Sequence, residues 1–98
     1  MSNLMRMEEY VKKMNDTYGI SITEQAEYQG FVKRKVVYTI YIPQLSSRTG
    51  DISYKSEDCK VMSTNNSKST QRYLNWWLRT HKPFAERLKN NMDELRRN

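Results

Sequence analysis

The stretch Asn65–Thr80, NNSKSTQRYLNWWLRT, constrains this chain more than any other. Tyr73, Leu74, Trp76, Trp77 and Leu78 fall within six residues. They form the densest apolar and aromatic cluster in a chain whose mean hydropathy is −0.95. The same stretch opens with polar residues suited to a helix start. Ser67, Lys68, Ser69, Thr70 and Arg72 then place two cations and three hydroxyls about the first turn. The pattern predicts a helix from about Ser69 to Thr80, one end anchoring a core and the other meeting an anion. Trp76 and Trp77 are adjacent, so they point about 100° apart. One is expected in the core; the other belongs at the core edge, against a partner or under a base.

Ninety-eight residues make one domain, residues 1–98, with too little chain for two cores. Hydrophobic residues are only 37%, but seven Tyr and two Trp raise the surface that can be buried. Lys and Arg number 17 against 11 acidic residues, a net charge of +6. A basic domain of this size points toward phosphate-rich partners. Cys59 is the only cysteine, which rules out an intramolecular disulfide and fits a reducing, cytoplasmic setting. With His81 the only histidine, a structural zinc site is excluded, and no cofactor is expected. No apolar run approaches the ~20 residues of a membrane span. The start, MSNLMRMEEY, lacks the basic and apolar regions of a secretion signal.

Residues 3–18 read as an amphipathic helix. Leu4, Met7, Val11, Met14 and Tyr18 recur at three- and four-residue steps, with Tyr10 alongside. Ser2 or Asn3 can cap it, Glu8 and Glu9 suit its start, and Gly19 is placed to end it. Ile20 to Tyr28 follows as a strand, then Gln29 and Gly30 as a turn, with Lys33, Arg34 and Lys35 on a basic loop. Val36 to Ile42 is the clearest strand, every residue β-branched or aromatic. Pro43 ends its pairing, Ser46–Asp51 is turn chemistry, and Ile52 to Met62 supplies a third, more polar strand. After the Ser69–Thr80 helix, Pro83 either kinks it or starts another. Phe84, Leu88, Met92 and Leu95 then form a narrow stripe. The order is helix, three antiparallel strands, helix and helical extension, an α+β domain with a core over 3–80 and an extension over 83–97.

This order resembles the double-stranded-RNA-binding domain, α-β-β-β-α, over residues 3–80. The family's second helix opens Ser-Lys-Lys-x-Ala-Lys; here Ser67, Lys68 and Arg72 match its serine, first basic and last basic positions. The resemblance implies duplex or structured RNA read through backbone contacts. Ser67, Lys68 and Arg72 would form one contact point. Lys33, Arg34 and Lys35 would form a second, in the place of the family's groove-reaching loop. Lys12 and Lys13 on the first helix would form a third. The chain from Val36 to Thr80 is also similar to the arm-binding domains of phage-type integrases, which lay a three-stranded sheet in a DNA major groove. The N-terminal helix favours the first resemblance.

Two other classes remain. Asp51 with Asp58-Cys59-Lys60 matches the short acidic-lysine pattern of metal-dependent nucleases, with Glu8 or Glu9 as an extra ligand. The flanks of that pattern are polar where such enzymes use a buried strand, and no catalytic residue is assigned. A protein-binding accessory factor, such as a small phage-type inhibitor or regulator, would use Trp76, Phe84, Leu88 and Met92 as its interface. The two-residue-wide stripe of the extension also suits a helix–helix seam between two copies, a homodimer. The expectation is a non-enzymatic nucleic-acid-binding protein, RNA favoured over DNA.

Overall fold

The computed structural model describes residues 4–97. Helix α1 (Met7–Tyr18) leads into β1 (Ser21–Gln29) and β2 (Val32–Ile42). A short ribbon, β3 (Gln44–Leu45) and β4 (Ile52–Ser53), follows, then a single 3₁₀ turn at Ser56–Asp58 and β5 (Lys60–Thr64). Helices α2 (Ser67–Thr80) and α3 (Lys82–Arg97) complete an α+β fold. The main sheet has the order β1-β2-β5, antiparallel throughout.

Helix α1 starts at Met7, later than expected. Its cap position is Arg6, with no side-chain capping bond; Ser2 and Asn3 lie outside the described residues. Gly19 closes it in the left-handed conformation (φ 73°), donating its N–H to Asn15. Any side chain there would also collide with the Tyr54 ring, since a Cβ would lie 2.5 Å from Cε1. Tyr10 and Met14 carry the buried face.

The sheet buries one side. Ile22 and Ile40 sit opposite each other in register, and together with Ile20 and Ile42 they face the helices. From α2, Leu74 and Trp77 close over them, and from α3, Ala85 and Leu88. The other side, with Thr23, Val37, Thr39, Tyr41, Val61 and Ser63, has no helix over it among the described residues.

Three expectations change. Lys33, Arg34 and Lys35 are not on a loop but in β2, because β1 and β2 continue their pairing to a two-residue turn at Gly30-Phe31. Gly30 supplies the positive φ (63°) and Phe31 stays negative, the pattern of a type II′ hairpin turn. The third strand is not Ile52–Met62. Pro43 stops β2, Gln44–Leu45 folds back on Ile52–Ser53 across the Ser46–Asp51 turn, and only Lys60–Thr64 joins the main sheet. The segment after Pro83 is a helix of its own and belongs to the core. The chain breaks at His81, whose N–H still bonds Trp77 O while its carbonyl already accepts from Ala85. Pro83, in the first turn of α3, loses no intrahelical bond there.

Among the described residues two polar ones are buried in that core, Thr70 and Gln71. The Gln71 amide works as a backbone would. Its Oε1 accepts from Met5 N at 2.9 Å and its Nε2 donates to Met5 O at 2.8 Å, fastening the segment before α1 onto α2. The Tyr10 hydroxyl adds a bond to Asn75 Oδ1 at 2.9 Å.

Candidate functional site

β5 pairs with β2 only from Tyr38 to Ile42. Beyond Tyr38, β1 and β2 continue alone as a two-stranded arm. Six residues from Tyr38 to Val32 carry it about 20 Å past the body. The Cα radius of gyration, 14.8 Å, exceeds the ~13 Å of a compact chain this long, as a projecting arm requires.

The basic end of α2 lies at the foot of that arm. Thr64 ends β5 opposite Tyr38, and α2 begins at Ser67. Thr64 Oγ1 is hydrogen-bonded to Asn66 O and to the Thr70 hydroxyl, pinning the helix start to the strand end. Asn66 is the N-cap, accepting from Ser69 N at 2.7 Å. From there α2 runs back over the sheet, and Trp77 and His81 at its far end share a cleft with Lys60 and Gln44.

Thr70, Gln71, Leu74 and Trp77 turn α2's apolar face inward. Lys68, Arg72, Trp76 and Arg79 are exposed at steps of four, four and three residues, a single outer row. Trp76 is 48% exposed and leans on Tyr73, ring centroids 5.9 Å apart. The helix contains no Asp or Glu, and among the described residues none of its cations enters an ion pair. The row is thus an uncompensated positive track about 16 Å long with an aromatic ring inside it. Ser67 is half-buried at its start.

The arm divides its three cations. Glu27 pairs with Lys35 but Tyr28 with Lys33, so the register shifts and Arg34 is the extra residue of a β-bulge. Lys35 lies 3.6 Å from Glu27 Oε2 on the open sheet face, and Arg34 Nε donates to Gln29 Oε1 at 2.6 Å. Lys33 shares the helix-side face with Tyr28 and makes no ion pair among the described residues. Lys12 and Lys13 stand apart on α1, and Lys12 is compensated by Asp16 at 3.3 Å.

Of the residues expected to meet a partner, Trp76 is presented outward. Leu88 is instead fully buried, so it cannot contact a partner while α3 is docked. Phe84 is half-buried with its ring edge-on to Trp77 at 6.2 Å, and Met92 is half-buried beside Gly19. Of the stripe that suggested a seam between copies, Leu88 lies in the protein's own core, Phe84 and Met92 are half-buried, and Leu95 stays exposed.

The acidic-lysine constellation does not assemble. Asp58 Oδ2 accepts from the Ser53 hydroxyl at 2.6 Å, and among the described residues no three His, Cys, Asp or Glu side chains form a metal-holding group. Burial, with Asp58 and Glu57 nearby, pushes the Cys59 thiol up, away from a reactive thiolate. His81 stacks on Trp77 at 4.6 Å, its Nδ1 3.1 Å from Trp77 O, as a helix-end residue. Among the described residues no helix is long and apolar enough to cross a membrane.

Arg79 joins the outer row although it was not among the residues expected to meet a partner. Its signal was present in the spacing of Lys68, Arg72 and Arg79 and in the lack of any acid over 67–80. No protein-family model, curated protein or solved structure matches this chain.

Proposed function

We propose that this protein binds structured or duplex RNA through its sugar-phosphate backbone and catalyses no reaction itself. The observation that carries the reading is the outer row of α2, Lys68, Arg72, Trp76 and Arg79, uncompensated and starting at the foot of the basic arm. A linear track of cations matches a linear polyanion, and counterion release then supplies the affinity. Trp76 offers a ring on which an unpaired base stacks. The open sheet face fits a nucleic acid less well. Beyond the hydroxyls of Thr23, Thr39 and Ser63, its cations are Lys35, already paired with Glu27, and Arg34, already bonded to Gln29.

Filter binding to duplex RNA, duplex DNA and single strands at two salt concentrations tests the proposal. RNA duplex is expected to bind best. Lys68→Ala, Arg72→Ala and Arg79→Ala are each expected to weaken binding to all sequences alike and to flatten the log–log salt slope by roughly 0.9. Unchanged affinity and slope in all three would remove α2 from the interface. No binding of any nucleic acid at low salt would point instead to a protein partner at Trp76.

A further inference from the structure

The arm carries at its apex a residue that the fold does not use. Phe31 is fully exposed, and its neighbours Tyr28 and Val32 are 64% and 62% exposed. Gly30 already provides the positive φ of the turn, and the position after it accepts Asn, Asp or Ser. No core residue lies beyond Tyr38 on either strand of the arm. An apolar tip on a hairpin with open outer edges is an association hazard that proteins usually remove. Here it is kept, with Lys33, Arg34 and Lys35 directly behind it.

Cations behind an apolar tip suit a partner whose anionic surface covers an apolar interior. A nucleic acid and an anionic bilayer both qualify. The direction of α2 separates them. Its cationic row starts at the arm's foot and runs away from the tip. A flat surface meeting Phe31 leaves that row out of contact, whereas a strand lying along the body engages both.

Resting on the nucleic-acid reading above, we propose that the arm is a wedge. Phe31 enters the base stack of a structured duplex beside an unpaired nucleotide, and Lys33, on the helix-side face, holds a flanking phosphate. Opening an intact base step is about as unfavourable as burying one aromatic ring is favourable. The wedge therefore gains little in a continuous duplex and gains clearly where a bulge has already opened the stack.

The test compares a fully paired RNA duplex with one carrying a single-nucleotide bulge, with 2-aminopurine beside the bulge. The wild-type chain is expected to prefer the bulged duplex by roughly tenfold and to raise the 2-aminopurine fluorescence as the base unstacks. Phe31→Ser, a surface change at a turn position, is expected to bind both duplexes equally, with the wild-type salt slope and no fluorescence rise. Lys68→Ala with Arg72→Ala should weaken both complexes but keep the preference. A wild-type chain that binds both duplexes alike, or a Phe31→Ser chain that retains preference and fluorescence, overturns the wedge and leaves the nucleic-acid reading standing. No binding of either duplex at low salt overturns both. Phe31-dependent sedimentation with phosphatidylserine vesicles in that case would assign the tip to a bilayer.

Discussion

Tyr10 and Gln71 show how single polar residues hold this lean core together. Tyr10 OH reaches from α1 to Asn75 Oδ1 on α2, and Gln71 reaches from α2 to both backbone groups of Met5, just ahead of α1. A buried donor or acceptor left alone would cost about 1–3 kcal/mol, so these bonds do more to exclude other arrangements than to add net stability. Tyr10 also makes stability depend on pH. Burial, with the Tyr18 charge adding, holds its ionisation well above the ordinary tyrosine value of 10.0. The fold then binds the phenolic proton more tightly than the unfolded chain does. Its contribution is whole below pH ~10 and fades as pH rises further. Urea unfolding at intervals from pH 8 to 11 is expected to show a steeper alkaline loss for wild type than for Tyr10→Phe. At pH 7 Tyr10→Phe should lose about 1 kcal/mol through the missing hydrogen bond. Parallel pH curves for the two proteins would place the phenol outside the core.

At the scale of elements, the arm and the body have separate tasks. No residue of the arm past Tyr38 belongs to the core. Replacing Glu27–Lys35 with Asn-Gly, which closes the hairpin opposite Ala26 and Val36, should therefore shift the thermal midpoint by no more than the ~4–8 °C that 1 kcal/mol represents. RNA affinity should fall with it. Loss of cooperative melting would mean that the arm supports the sheet. How much of these elements could be read from residues alone depended on whether local rules decided them. Val36–Ile42 was readable because every residue favours a strand, and α1 because its apolar spacing and Gly19 agree. The Trp76/Trp77 division followed from helical geometry. The arm was not readable: three adjacent cations suggest a solvated loop, yet a bulge at Arg34 and cross-strand partners at Glu27 and Gln29 accommodate them in a strand. Nor was Gln71, a polar helix residue whose burial depends entirely on where Met5 lies. The β3–β4 ribbon was hidden because two-residue strands leave no periodicity.

For the whole molecule the decisive element is α3. Residues 83–97 read as an extension beyond a core over 3–80, yet Ala85 and Leu88 are buried with Tyr10, Met14 and Trp77. Tyr54 joins the same assembly, its ring against Gly19 and its hydroxyl accepting from Asn91 Nδ2 at 2.5 Å, so the ribbon is tied to α1 and α3 together. A chain with 37% hydrophobic residues, several of them exposed, has a small core to lose from. Leu88→Ala alone is expected to cost about 2–5 kcal/mol, a large share of the 5–15 kcal/mol that holds a domain of this size together. Truncation after His81 removes Leu88, Ala85, Phe84 and Met92 at once and uncovers Trp77 and Met14. The shortened chain should therefore lack a cooperative thermal transition and bind hydrophobic dye, whereas Leu95→Ala, at an exposed α3 position, should melt as wild type does. Circular dichroism melts of the three proteins decide the matter. A truncated chain that still unfolds cooperatively would show that residues 4–81 form a core of their own and that α3 is held only at its surface.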